Sequence, residues 1–221
     1  MEYHRDLDEI DRTISRMLSL VEETISAASA AFLGAEDEAE RAVAAGARET
    51  EALHRSVETL VPTLLIRLAP EAGELRFLLA ALRIAPEAEM TAALAANLAR
   101  RGAMHIGDEL PARVRGLVAK LFAQSSTMWR RAGDAFLDRD PTMYAALERE
   151  DEDIDELHAS LMAELVSCDL RPPILMEMAL VARFLERLGD HAVEVGRWIE
   201  TFASAVERVP SPWRARADDA L

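Results

Sequence analysis

The segment RFLERLGDHAVEVG, residues 183–196, places Glu186, Asp190 and Glu194 at intervals of four residues. Residues four apart share one face of an α-helix, and like charges in that position cost ~0.2–0.5 kcal/mol per pair. The same segment contains Gly189, and a glycine inside a helix costs up to about 1 kcal/mol unless close packing requires it. The segment therefore predicts a tightly packed helix with an acidic face that a cation would neutralise.

The composition of the whole chain is that of an all-α protein. Half of its 221 residues are hydrophobic and only 5% are aromatic, and alanine, leucine, glutamate and arginine are abundant. No apolar run reaches the roughly 18 residues of a membrane span, and the acidic N-terminus, MEYHRDLDEIDR, does not have the pattern of a signal peptide. The single cysteine, Cys168, excludes an intramolecular disulfide and a cysteine-based zinc site. We therefore expect a cytoplasmic protein without direct membrane insertion.

The net charge of −15 argues against two classes of binding partner, nucleic acids and anionic lipids. Nucleic-acid binding requires clustered lysine and arginine, so we expect no nucleic-acid partner. Anionic lipid also repels an acidic surface, so any position at the inner face of the membrane would depend on a protein partner. Most of the acidic residues are expected to lie on solvated helical surfaces.

Hydrophobic spacing divides the chain into six helices. The first carries a three-four stripe and stops near Gly34. The stripe comprises Leu7, Ile10, Ile14, Met17, Val21 and Ala28. The second runs from about Asp37 to Leu68 with a kink at Pro62, and the third has Pro70 in its first turn and is interrupted at Pro86.

The second half of the chain follows the same plan. Apolar residues from Val114 to Phe136, with Leu117, Leu121 and Met128 between them, mark the fourth helix. We predict that Asp140 caps the fifth helix and that Pro141 occupies its first turn. The sixth helix is predicted from about Ile174 to Val206, before a proline-containing tail at residues 209–221 that we expect to be flexible.

An internal repeat relates the two halves. EALHRSV, residues 51–57, resembles DELHASL, residues 155–161, at an offset of 104 positions. EMTAALAANLA, residues 89–99, aligns with ERLGDHAVEVG, residues 186–196, at an offset of 97. We predict two pseudo-symmetric three-helix bundles, at residues 1–104 and 105–208, with their boundary near Gly102–Asp108.

The acidic residues of the last two helices suggest a metal site. The fifth helix contains EREDEDIDELH, residues 148–158, with Asp151 and Asp155 four apart. If the two helices pack side by side, five carboxylates face one another, and such a cluster requires protons or a metal. The candidate ligands are Asp151, Asp155, Glu186, Asp190 and Glu194. Oxygen ligands suit magnesium, manganese, calcium or iron. The alternative is a solvated acidic face on which Glu186 pairs with Arg183 or Arg187.

A second reading uses the histidines. Asp155 and His158, with Glu186, form part of a ferritin-like di-metal carboxylate pattern. That pattern needs two such pairs around one core, and the second pair, Glu51 and His54, lies in the other repeat. We therefore expect structural or surface roles for His54 and His158. His191 is about 100° around the helix from Asp190 and is expected to point away from the acidic stripe.

Three segments resemble the PhoU family of phosphate-transport regulatory proteins, and the resemblance extends over nearly the whole chain. ARFLERLGDHAVEVGRWI resembles the family's signature helix, EDEDIDELH its companion motif, and ELRFLLAALRIA the start of the third helix of its first repeat. The resemblance implies two three-helix bundles with acid-x-x-x-Asp motifs that bind a cluster of iron, zinc or manganese. It also implies a non-enzymatic regulator that represses phosphate uptake and the phosphate-starvation genes.

The implied partners are the ATPase of a phosphate ABC transporter and a sensor histidine kinase, and we also expect a homodimer. The second repeat keeps the family's acidic pairs, Asp151 with Asp155 and Glu186 with Asp190. In the first repeat, Ala47 and Ala93 stand where acids are expected beside Glu51 and Glu89. We therefore expect one intact metal site and one degenerate site, and the departure leaves open a divergent PhoU paralogue with another partner.

Overall fold

The computed structural model describes residues 2–34, 37–67 and 70–206, and within them it contains six α-helices and no β-strand. The helices are α1 (Glu2–Gly34), α2 (Asp37–Arg67), α3 (Ala72–Gly102), α4 (Ala112–Asp138), α5 (Met143–Ser167) and α6 (Pro172–Val206). A short 3₁₀ turn at Ile106–Glu109 lies in the connection between α3 and α4. The predicted all-α class is confirmed, and the predicted flexible tail at residues 209–221 lies outside the described residues.

The helices form two bundles of three. Helices α1, α2 and α3 pack against one another, as do α4, α5 and α6, while α1 against α4 and α3 against α6 join the bundles. Burial follows the predicted stripes: Ile10, Ile14, Met17 and Val21 are fully buried on α1. On α4, Val114, Leu121, Met128 and Phe136 are fully buried as well. The three-four spacing therefore identified the core-facing sides of both helices.

Four of the proline and cap predictions are wrong. Helix α3 continues through Pro86, because Ile84, Ala85 and Ala88 are fully buried on either side and their packing outweighs one lost backbone hydrogen bond. Pro70 precedes the N-cap Glu71 rather than entering the first turn.

Helix α5 begins at Met143, two residues after Pro141. The Asp140 carboxylate accepts hydrogen bonds from the Thr142 N–H at 2.9 Å and from its hydroxyl at 2.7 Å. Asp140 therefore closes a turn before the helix, and Thr142 takes the N-cap position.

The two bundles meet at a cluster around Arg139. Its guanidinium lies 4.6 Å from the ring centre of Phe136, 5.3 Å from that of Phe202 and 5.5 Å from that of Phe77. It also forms an ion pair with Asp11. Cation–π contacts and an ion pair thus connect α1, α3 and α6 to the end of α4, and they hold α6 in place relative to α4.

Candidate metal centre

Glycines bring α5 and α6 together. A Cβ atom on Gly189 would lie 2.5 Å from Oδ1 of Asp151 and 2.8 Å from Cδ1 of Ile154. A Cβ atom on Gly196 would lie 2.7 Å from Cδ1 of Leu147. All three distances are shorter than real Cβ contacts, so an alanine at either position would force the ends of the neighbouring α5 side chains to shift. The expectation that Gly189 serves close packing is confirmed.

The same contacts fix the register of the two helices. Asp151 lies at Gly189, and Leu147 lies at Gly196, so α5 and α6 run in opposite directions. Four residues further along α5, Asp155 therefore lies toward Glu186, while Asp151 lies beside Asp190. The antiparallel register brings both acidic pairs to one place on the surface between the helices.

A tryptophan fixes this turn of α6 from the other side. Trp129 of α4 is fully buried, and its indole N–H donates a 2.8 Å hydrogen bond to the carbonyl oxygen of Leu188. Leu188 immediately precedes Gly189, so α4 anchors the segment on which the acidic residues lie. Trp129 was not among the residues predicted from the sequence. Its position in an apolar stripe could have indicated a tertiary hydrogen bond, because a buried indole N–H needs an acceptor.

Asp151 is the most perturbed carboxyl group of this centre. Burial, which is the largest cause, and the charges of Asp190, Asp155 and Glu186 together raise its pKa to about 6. Its Oδ1 atom is buried and has no hydrogen-bond partner among the described residues. Four of the five predicted ligands thus interact electrostatically around one unsatisfied oxygen.

The side chains of Asp151, Asp155, Glu186 and Asp190 do not point toward a common centre. Asp155 and Asp190 are exposed, whereas the Glu186 carboxylate accepts hydrogen bonds from Nη1 of Arg183 through both of its oxygens. In the described part of the chain, no three acidic, histidine or cysteine side chains are arranged to hold a metal ion. The helices supply the positions, and the side chains would have to turn to coordinate an ion.

The fifth predicted ligand, Glu194, lies apart from this group. It accepts a 2.7 Å hydrogen bond from Arg197. Its charge acts on Tyr144, whose pKa is raised mainly by a hydrogen bond to Glu148, and not on Asp151. Eight residues of helix separate Glu194 from Glu186, a distance of about 12 Å along the axis and a rotation of about 80°.

In the first bundle, an arginine and a histidine pair with the corresponding glutamates. Glu51 accepts a 2.6 Å hydrogen bond from Arg55. Glu89 pairs with Nδ1 of His54, a residue whose side chain is only 14% exposed. With alanine at positions 47 and 93, this bundle has two carboxylates where the second has four.

The positions of the histidines do not support a ferritin-like centre. His54 lies in the first bundle and His158 in the second, so the two acid-x-x-His pairs do not surround one core. His191 is buried, and its Nδ1 lies 2.5 Å from a carboxylate oxygen of Glu87 on α3. The expectation that His191 points away from the acidic stripe is confirmed.

The chemistry of this donor set fits a metal cation. Carboxylate oxygens are the preferred ligands of hard and borderline cations. A buried oxygen without a partner, whose carboxyl group feels the charges of three other carboxylates, is relieved either by a proton or by a cation. We call Asp151, Asp155, Glu186 and Asp190 the four-carboxylate centre.

Comparison with known proteins identifies the family. The PhoU domain family matches the chain twice, at residues 14–102 and 118–199, so that one match falls in each bundle. The chain is 32% identical over 198 residues to the phosphate-specific transport system accessory protein PhoU homolog 1 of Mycobacterium tuberculosis, with 88% of this chain and 90% of that protein covered. PhoU homolog 2 of the same organism is 30% identical over 200 residues, with 88% and 93% covered.

The chain belongs to the PhoU family. A crystal structure of PhoU from Pseudomonas aeruginosa superposes with a TM-score of 0.84 at 21% identity, over 92% of this PhoU-family chain and 99% of that chain. The phosphate transport system regulatory protein PhoU from Streptococcus pneumoniae gives a TM-score of 0.79 at 17% identity, over 92% and 97%. These likenesses show that the two-bundle architecture is the PhoU fold. Among residues 2–34, 37–67 and 70–206, no helix combines the length and apolar character required to cross a bilayer.

The glycine contact predicts an unusual response to alanine. Gly189→Ala should destabilise the protein by about 1–2 kcal/mol, because overpacking against Asp151 and Ile154 exceeds the gain in helix propensity. Gly116→Ala, on α4, is the matched control, since a Cβ atom there would have no neighbouring atom within 4 Å. It should stabilise by up to about 1 kcal/mol. Urea unfolding of both variants measures the difference, and equal stabilisation would contradict the close contact.

The raised pKa of Asp151 predicts a pH-dependent penalty in chelator-treated protein. Because the folded state keeps this proton up to about pH 6 and the unfolded state releases it near pH 4, stability should fall as pH rises through that window. Asp151→Asn lacks the charge and should be more stable than the parent protein at pH 7.5, with the difference vanishing toward pH 4. Urea unfolding across this range tests it. The exposed neighbour variant Asp153→Asn should show no such gain, and a similar gain would contradict the assignment.

Proposed function

We propose that this protein is a non-enzymatic accessory protein of a phosphate transport system that represses phosphate uptake and the phosphate-starvation genes. The observation that carries the proposal is the near full-length match to relatives named as accessory proteins of the phosphate-specific transport system, at up to 32% identity. Two bundles joined side by side offer long helical faces for contact with other proteins. The proposed partners are the ATPase of a phosphate ABC transporter and a sensor histidine kinase, with the chain acting as a homodimer.

Protein contact, rather than lipid contact, is the proposed means of action. The net charge of −15 disfavours adsorption to an anionic bilayer. We therefore place the protein in the cytoplasm, and at the inner face of the membrane only through its partners. The chain is almost equally similar to the two mycobacterial homologs, at 32% and 30% identity.

The proposal also includes a metal at the four-carboxylate centre, with iron, zinc or manganese as the candidates. The buried, unpartnered oxygen of Asp151 and its raised pKa support a cation at this place. When bound, the metal would supply positive charge shared by α5 and α6. The chain's contribution is to hold the ligand positions together through Gly189 and Trp129, and a bound cation would then stabilise one relative position of the two helices.

Deletion of the gene tests the regulatory role. We expect the deletion strain to express phosphate-starvation genes when phosphate is plentiful, because the repressing contact is missing. Reporter expression in high phosphate measures this effect, and the wild-type gene supplied in trans should restore repression. Asp190→Ala should restore it only in part, since the bundle would lose the cation and keep its fold. Normal repression in the deletion strain would contradict the phosphate role and would favour a divergent paralogue with another partner.

The difference between the repeats predicts asymmetric metal uptake. Asp190→Ala should remove most of the tightly bound metal, because it deletes one of four ligands in the second bundle. Glu89→Ala should change little, since that residue already pairs with His54 and has few acidic neighbours. Elemental analysis after equilibrium dialysis, without affinity-tag metal, measures both variants. Equal losses would show that the two repeats contribute alike.

A further inference from the structure

Glu186 is held by a residue of its own helix. Nη1 of Arg183, one turn earlier on α6, donates to both oxygens of the Glu186 carboxylate. The Arg183 side chain is 57% exposed, whereas that of Glu186 is only 15% exposed. The arginine can therefore swing into solvent, while the glutamate stays beside the other acids of the four-carboxylate centre.

In the first bundle, a different type of residue contacts the corresponding glutamate. Pro86 occupies the position that corresponds to Arg183 at the offset of 97, so no guanidinium is available there. Glu89, which corresponds to Glu186, pairs instead with His54. In both bundles, the glutamate of the third helix is thus paired with another side chain of the protein.

The His54–Glu89 and Arg183–Glu186 contacts differ in how far they are exposed to solvent. His54 is 14% exposed, so the imidazole is enclosed beside Glu89. Arg183 lies mostly in solvent, where an ion pair is weak because water screens it. Only the second bundle therefore combines a full set of carboxylates with a counter-ion that can leave.

We propose that Arg183 is an internal counter-ion that competes with the metal for Glu186 and so sets the metal affinity of the four-carboxylate centre. The inference rests on the proposed metal site. Both Glu186 oxygens engage the guanidinium, so they are not free for a metal until Arg183 moves away. In the metal-free protein, the same arginine offsets the charge of Glu186.

Removing Arg183 should tighten metal binding for three reasons that act in the same direction. Glu186 becomes free, a positive charge near the incoming cation disappears, and the metal-free cluster loses its counter-ion. An exposed ion pair of this class corresponds to an equilibrium constant changed by about two- to fivefold. We therefore expect Arg183→Gln to bind Mn²⁺ about two- to fivefold more tightly than the parent protein.

Arg197→Gln provides a matched control. Arg197 is 51% exposed and pairs with Glu194 three residues earlier on α6, but Glu194 lies outside the four-carboxylate centre. Mn²⁺ titration of the full, chelator-treated chain by isothermal calorimetry should show tighter binding for Arg183→Gln and little change for Arg197→Gln. Without metal, Arg183→Gln should also melt at a lower temperature than the parent protein, and saturating Mn²⁺ should remove that deficit.

The outcomes separate this inference from the proposed function. Metal uptake by the parent protein with no gain in Arg183→Gln, or with an equal gain in Arg197→Gln, would overturn the counter-ion role and leave the metal centre standing. Weaker binding by Arg183→Gln would overturn it too, because the arginine would then be helping the metal ligands. Failure of every protein to bind Mn²⁺, Zn²⁺ or Fe²⁺ would overturn the metal centre and the counter-ion role together.

Discussion

The close approach of α5 to α6 at Gly189 is the constraint on which the candidate centre depends. Without a side chain at this position, Asp151 reaches the surface of α6, and its Oδ1 atom becomes buried. The acids on both helices are then forced into proximity, and their repulsion raises the pKa of Asp151 to about 6 after burial has raised it first. Trp129 fixes the same turn from α4, so the closeness is a property of the whole second bundle.

The two repeats use one architecture with different electrostatics. In the first bundle, alanines replace two acids, and the surviving glutamates pair with Arg55 and His54. The second bundle keeps four carboxylates, and among the described residues Arg183 forms an ion pair with one of them, Glu186. A cation between α5 and α6 would neutralise these carboxylates and link the two helices.

Sequence alone predicted the parts that depend on local periodicity and composition. The six helices follow from apolar residues at three-four spacing, and the loss of acids in the first repeat follows from Ala47 and Ala93. Gly189 was predictable as a packing residue because a mid-helix glycine carries a cost. The PhoU family resemblance, read from the motifs around Asp190, is confirmed by two matched domains.

The remaining features depend on tertiary contacts that no local pattern encodes. Pro86 stays within a helix because buried neighbours on both sides support it. Glu194 follows the four-residue spacing, yet each step of four turns the helix by about 40°, so the third acid rotates away from the centre. Trp129 contacts a carbonyl 59 residues away, and the choice of Arg183 over Arg187 as partner of Glu186 became clear only from the structure.

We propose that the second bundle alone assembles a cation site from Asp151, Asp155, Glu186 and Asp190. Anomalous X-ray scattering from crystals of the full chain grown with Mn²⁺ tests it most directly. We expect anomalous density among these four carboxylates, with Arg183 turned away from Glu186 and no density between Glu51 and Glu89. Absence of density there while Arg183 still holds Glu186, or density of equal height in the first bundle, would contradict it.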